Sequence, residues 1–222
     1  MLTNFDLIRR VPLFTMMTSA QAQTLAAAVA KQRFKRGEVI VEQGSKSNAL
    51  FIILSGKARV LMTDNKDREV ILASLQPGDY IGEMSLIDNE PHSANVEAEI
   101  QTDVLVLGRE AFTQCLTENT QIAFAVMTGL VKRLRSADRK IGALALMGVY
   151  GRVANVLLEY AALDDHNQMI IREKISRQDI AKMVGASREM VSRVMKDFEE
   201  QGFIETLESG AILVKDRRKV PR

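Results

Sequence analysis

From Arg109 to about Met147 the chain runs without a proline, with glycine only at Gly129 and Gly142, and its apolar residues keep helical spacing. Ala123, Met127, Leu130, Leu134, Ala137, Ile141 and Leu144 are separated by 4, 3, 4, 3, 4 and 3 residues, the pattern of a coiled-coil seam. Such a helix either packs along its own domain or pairs with a second copy. Lys132, Arg133, Arg135, Asp138, Arg139 and Lys140 keep much of the remaining circumference polar, which favours pairing through the seam Met127, Leu130, Leu134, Ala137, Ile141 and Leu144.

On either side of this helix the texture differs. Leu2 to about Gln32 reads as short helices, with Phe5, Ile8, Val11, Phe14, Leu25, Ala28 and Val29 at helical spacing and Pro12 breaking the stretch. Between Arg33 and Leu107 come short β-rich runs: Val39–Val41, Leu50–Leu54, Ala58–Met62, Val70–Leu72, Asn95–Glu97 and Val104–Leu107. Gly37, Gly44, Gly56, Asp64-Asn65, Pro77-Gly78 and Asn89-Glu90-Pro91 punctuate them, which predicts an antiparallel sandwich or barrel. A composition change at Leu146–Arg152 opens a further unit: a helix from about Tyr150 to Leu163, a turn at Asp164–Asn167, a strand at Met169–Ile171, two helices and a hairpin. The 222 residues, 46% of them hydrophobic, suffice for this division.

Lys174 to Ile204 carries the most specific local signal. Ser176 with Asp179 starts a short helix whose face is Ile180, Ala181 and Val184; Gly185 closes it, and Ser187 caps the next. Val191, Val194, Met195 and Phe198 point inward from that second helix, completing a helix-turn-helix. Arg188, Glu189, Ser192, Arg193 and Lys196 lie opposite. An arginine can donate twice to guanine O6 and N7 and a glutamate can accept from cytosine N4, so this face can read a major groove; the bland alternative is a solvated charged face. Gly202–Ile204 and Ala211–Lys215 fit the strands of a wing, and Lys215, Arg217, Arg218, Lys219 and Arg222 can meet phosphates. The 30 basic residues are balanced by 28 acidic ones, a net charge of +2, so a polyanion must be met by a local patch.

Together, the glycine-punctuated β-domain, the segment Gly78-Asp79-Tyr80-Ile81-Gly82-Glu83-Met84-Ser85-Leu86, the long helix and the winged helix resemble the CRP/FNR family over nearly the whole chain. The resemblance implies an α+β fold with an N-terminal β-roll of the cyclic-nucleotide-binding jelly-roll type, a long dimerisation helix and a C-terminal winged helix-turn-helix. The corresponding spans are residues 1–118, 119–147 and 148–222. It implies a homodimeric transcription regulator in which Ser187, Arg188, Glu189, Ser192, Arg193 and Lys196 bind a two-fold symmetric operator with TGTGA-like half-sites, in concert with RNA polymerase. Half-sites would lie about 34–36 Å apart.

The resemblance also places an effector site at Gly82, Glu83, Met84 and Ser85, with His92 and Ser93 about ten residues on. There the family carries an arginine for the phosphate of cyclic AMP, whereas this chain reads Pro91-His92-Ser93-Ala94. The adenine-contacting Thr-Ser pair aligns with Ala137 and Asp138. Arg135-Ser136-Ala137-Asp138 instead resembles the Arg-x-x-Asp guanine motif of cyclic-di-GMP sites; the alternative is a surface ion pair. The expected effector is a cyclic nucleotide or dinucleotide, cyclic-di-GMP ahead of cyclic AMP, with an effector-independent regulator and a regulatory subunit acting on a protein partner as alternatives. Two histidines (His92, His166) and one cysteine assemble no triad or metal cluster, so no enzyme, structural metal or iron–sulfur centre is expected, and haem finds little support. With no apolar run of about 18 residues, a cytoplasmic protein without membrane attachment is expected.

Overall fold

The structure is a computed structural model and describes residues 3–215. Leu2 and the basic tail residues Arg217, Arg218, Lys219 and Arg222 lie outside the described residues. The chain divides into two compact units after Arg133.

The first unit opens with helix α1 (Asn4–Arg10), a 3-10 turn (Pro12–Phe14) and helix α2 (Ser19–Ala28). Thr3 with Asp6, and Thr18 with Gln21, close reciprocal capping boxes at the two helix starts. The strands β1 (Val29–Phe34), β2 (Val39–Val41), β3 (Ala49–Ser55), β4 (Ala58–Thr63), β5 (Glu69–Leu75), β6 (Tyr80–Ile81), β7 (Asn95–Ala98) and β8 (Thr102–Gly108) follow, with helix α3 (Glu83–Asp88) between β6 and β7. They build two antiparallel sheets, ordered β1-β8-β3-β6 and β2-β7-β4-β5. Alternation along β3 and β8 generates the layers. Leu50, Ile52, Leu105 and Leu107 face a core shared with α1 and α2, while Ile53 and Val104 join Ile40, Leu75 and Val96 between the sheets.

Three sequence expectations change here. The helical reading to Gln32 stops at Val29, because β1 pairs with β8 from Val29↔Leu107 to Phe34↔Thr102 and that ladder overrides weak local propensity. The single helix from Arg109 is two, α4 (Arg109–Glu118) and α5 (Thr120–Leu146). Asn119 leaves the helical region, and its side-chain oxygen accepts from the Gln121 and Ile122 amides at 3.1 and 3.3 Å. Finally, Leu130 packs with Ile122 and Val126 against the unit's own core and is not part of the outward stripe. That stripe is Phe124, Met127, Val131, Leu134, Ile141 and Leu144, between 48% and 70% exposed. Two apolar faces share one helix, and a 4-3 spacing threads between them.

In the second unit helix α6 (Val149–Tyr160) ends before strand β9 (Ala162–Leu163), so the expected helix to Leu163 is one turn too long. Strand β10 (Met169–Ile171), helices α7 (Arg177–Val184) and α8 (Arg188–Glu200), and strands β11 (Ile204–Thr206) and β12 (Ile212–Val214) follow, with sheet order β11-β12-β10-β9. Phe198 centres the core, edge-to-face with Phe203 at 4.8 Å and Tyr150 at 5.9 Å, among Leu157, Ile180, Val184 and Val194.

Candidate functional site

In the first unit the expected effector segment forms the turn from β6 into α3. Gly82 sits at φ +95°, and a Cβ there would fall 2.6 Å from the Ala49 carbonyl oxygen, so glycine alone lets the chain turn this close to β3. Glu83 is only 1% exposed. One carboxylate oxygen accepts from Arg133 Nη1 at 2.6 Å, and the other, Oε2, finds no partner among the described residues. Burial pushes the Glu83 carboxyl above its ordinary range, opposed by the Arg133 charge. The same Arg133 donates to the Tyr80 carbonyl and lies 5.1 Å over the Tyr80 ring.

One turn on, Ser85 is buried and meets His92. His92 Nδ1 lies 3.0 Å from Ser85 Oγ, and Nε2 lies 2.8 Å from Ser47 Oγ. The His92 main chain is strapped on both sides, its amide donating to Ser45 O and its carbonyl accepting from Gly44 N. At 8% exposure, burial holds the ring below its usual titration range, so it is chiefly neutral at pH 7. Arg109 clamps the far end of α3, donating to the Leu86 carbonyl at 2.8 Å, the Ser85 carbonyl at 3.1 Å and Asn48 Oδ1 at 3.1 Å. Met84 and Ser93 are exposed.

Gly82, Glu83, Ser85 and His92 are thus brought together, as the resemblance implies. Arg133, Ser47 and Arg109 complete the arrangement and were not singled out from sequence. In the sequence Arg133 is one of the residues that keep the circumference of the long helix polar. A buried glutamate at the start of α3 needs a cation, and that need is the signal that could have found it.

Arg135 and Asp138 belong to the second unit, exposed on α5. They are three residues apart on that helix, and no ion pair joins them among the described residues.

The helix-turn-helix is assembled as expected. Ser176 Oγ accepts from Asp179 N at 3.0 Å to start α7, Gly185 ends it at φ +62°, and Ser187 Oγ accepts from Met190 N at 3.2 Å to start α8. Val191, Val194, Met195 and Phe198 are buried, leaving Arg188, Glu189, Arg193 and Lys196 exposed and Ser192 half-exposed on the opposite face. Lys196 reaches Glu200 at 3.5 Å, a solvent-exposed pair that costs little to break. No group of His, Cys, Asp and Glu able to hold a metal occurs among the described residues, and none of their helices is long and apolar enough to cross a membrane.

Comparison with known proteins agrees with both halves. Residues 31–119 match the cyclic nucleotide-binding domain and residues 151–220 the Crp-like helix-turn-helix domain. The chain is 35% identical over 188 residues to the cAMP-activated global transcriptional regulator Vfr of Pseudomonas aeruginosa, covering 81% of this chain and 87% of that one. It is 34% identical over 177 residues to the cAMP-activated global transcriptional regulator CRP of Escherichia coli O157:H7, covering 78% and 83%. In fold it is similar to the c-di-GMP responsive global regulator CLP of Xanthomonas campestris, with a TM-score of 0.77 at 23% identity, covering 90% of this chain and 100% of that one. These relatives are transcription regulators and not enzymes. With a cyclic nucleotide-binding domain and a Crp-like helix-turn-helix domain on one chain, the protein is a transcription regulator belonging to the CRP/FNR family.

Proposed function

We propose that the chain acts in the cytoplasm as a homodimeric regulator of a two-fold symmetric, TGTGA-like operator, controlled by a cyclic nucleotide or dinucleotide, with cyclic-di-GMP ahead of cyclic AMP. Residues 1–118 would form the cyclic-nucleotide-binding β-roll, 119–147 pair the protomers and add Arg135 and Asp138 to the effector contacts, and 148–222 bind DNA alongside RNA polymerase. The observation that carries the effector class is the buried Glu83 carboxylate: Oε2 lacks a donor among the described residues, and a nucleotide ribose hydroxyl would supply one. Because its other oxygen holds Arg133 on α5, a ligand that engages Glu83 is felt on the dimer helix. A coupling of about 1–3 kcal/mol between effector and DNA is typical of such switches.

Preference for cyclic-di-GMP rests on residue chemistry. His92 replaces a permanent guanidinium with a ring held neutral by burial, and Ala137 and Asp138 lack the adenine-binding hydroxyls. Arg135 and Asp138 can instead take the Hoogsteen and Watson–Crick edges of a guanine, the carboxylate accepting from N1–H and N2–H₂. On the DNA side, Arg188, Glu189 and Arg193 are the base readers. Ser187, Ser192 and Lys196 flank them.

Fluorescence anisotropy with a palindromic TGTGA-type operator tests this, first without ligand and then with cyclic AMP, cyclic GMP and cyclic-di-GMP in turn. The expected result is salt-sensitive binding whose affinity changes with one nucleotide, cyclic-di-GMP first. Tight binding indifferent to all three would instead identify an effector-independent regulator.

A further inference from the structure

We propose that Ser47, Ser85 and His92 form a proton-coupled anion latch, in which the phosphodiester of the effector is bound together with one proton taken up by His92. The inference rests on the nucleotide-effector reading above and adds to it a ligand residue, Ser47, and a stoichiometric proton.

Both ring nitrogens of His92 are occupied by hydroxyls, Ser85 Oγ at 3.0 Å and Ser47 Oγ at 2.8 Å. A hydroxyl can donate or accept, so this cradle suits either charge state. With the ring neutral, one nitrogen donates to one serine and the other accepts a hydrogen from the second. With the ring protonated, both nitrogens donate, both serine oxygens accept, and the hydroxyl hydrogen formerly spent on the ring is released. No heavy atom has to move. Protonation therefore delivers a positive charge and a free O–H donor at the same moment, and a phosphodiester oxygen uses both.

The surroundings leave that proton to an incoming anion. The segments bonded to His92 carry Glu42 and Lys46 in the loop that holds Ser47, Glu83 and Asp88 on α3, and Glu90 in the loop before His92, while Arg109 at the start of α4 bonds to the Ser85 and Leu86 carbonyls. Glu83 is engaged by Arg133, Asp88 accepts from the Glu90 amide, and Arg109 is spent on the Ser85 and Leu86 carbonyls. Among the described residues none of them is hydrogen-bonded to the ring, and burial alone lowers its titration point. An anion bound beside the ring would oppose that burial effect. An arginine at this position would carry its charge unconditionally; histidine makes the charge conditional on the ligand and the pH.

The sign follows from linkage. A bound phosphate raises the His92 pKa above its unliganded value, so the extra affinity is fully present below the unliganded pKa and is lost as pH rises through the bound-state pKa. Isothermal titration of the full chain with cyclic-di-GMP and with cyclic AMP, between about pH 6 and pH 8 in buffers of different ionisation heat, reads this directly. Whichever of the two binds should take up as much as one proton, with affinity falling by up to about tenfold per pH unit. His92→Arg should bind without proton uptake and with a flat pH profile. Imidazole NMR of the unsubstituted protein gives an independent reading, because His166 is its sole companion histidine and His92→Gln assigns the signal. The His92 ring should change from neutral to protonated when that nucleotide is added at pH 7. Binding that is pH-independent, exchanges no proton and leaves the ring neutral overturns the latch while sparing the nucleotide reading; absence of binding by both nucleotides throughout the range overturns the two together.

Discussion

The outward stripe of α5 makes Asp138 a test of the proposed dimer. Phe124, Met127, Val131 and Leu134 follow one another at steps of 3, 4 and 3, and Ile141 resumes seven residues after Leu134. Asp138 falls four after Leu134 and three before Ile141, in line with the stripe and at an a-type position of the heptad. In a parallel two-fold pairing each Asp138 faces its own copy, and two carboxylates then occupy a layer whose neighbours are Leu134 and Ile141. A polar residue there fixes register at a cost in stability. Asp138→Leu removes the repulsion and buries one side chain per protomer. At about 1.5–3 kcal/mol for each buried leucine, the gain is about 3–6 kcal/mol per dimer before any electrostatic relief. With about 1.4 kcal/mol per tenfold, the dimer dissociation constant should fall at least about a hundredfold. Sedimentation equilibrium over a dilution series measures this, with Asp138→Asn as a shape-conserving control expected to tighten the dimer less. The leucine variant should also lose any response to cyclic-di-GMP, since the guanine edge would have no carboxylate to meet. An unchanged or weaker dimer in Asp138→Leu would show that the stripe is not the seam.

Other substitutions probe the remaining parts. Arg188→Ala and Glu189→Ala should each weaken specific operator binding by about 1–3 kcal/mol and relax selection at the contacted base, while sedimentation still reports a dimer. Phe198→Ala, which removes the ring packed against Phe203 and Tyr150, should destabilise the winged-helix unit by about 3–5 kcal/mol in urea unfolding followed by circular dichroism. Asp103 is held by Arg33 at 2.6 Å and Lys31 at 3.0 Å; the Arg33 hydrogen bond leads in lowering its pKa to about 2. Its folded value lies below the unfolded one, so its contribution is present above the ordinary carboxylate range and is lost as pH falls toward about 2. Asp103→Asn should therefore cost about 1 kcal/mol near neutrality, a deficit that shrinks in urea titrations repeated at progressively lower pH.

Secondary structure was legible where a local signal stood alone. Val39–Val41, the strand cores from Leu50 and Ala58, and both helices of the helix-turn-helix fall where alternation, glycine turns and serine caps placed them. It was illegible where distant residues decide. Val29–Phe34 has three polar residues in its middle and becomes a strand because β8 offers it a ladder. Tyr80–Ile81 is too short to carry a pattern, and Asn119 interrupts an apolar rhythm that continues across it. Leu130 shows the limit of periodicity on a helix buried on one face and exposed on another: spacing finds apolar residues, and only packing says which face each serves.

For the proposed effector site, what the sequence hid was partnership. Gly82, Glu83, Ser85 and His92 could be found because they sit in one recognisable stretch and its neighbour. Arg133, Arg109 and Ser47 could not, since they come from 50, 24 and 38 residues away from Glu83, Ser85 and Ser85 respectively, and each is an ordinary surface residue type. Yet these three set the chemistry. Arg133 pairs with the Glu83 carboxyl and opposes the burial that raises its pKa, Arg109 fixes the α3 carbonyls so that the turn holds its shape, and Ser47 gives His92 a second hydroxyl so that the ring can accept a proton without rearrangement. A histidine read in isolation at the phosphate position signals only a lost positive charge. Set between two hydroxyls it becomes a charge held in reserve, which is why the same substitution that argues against a constitutive phosphate site argues for a conditional one.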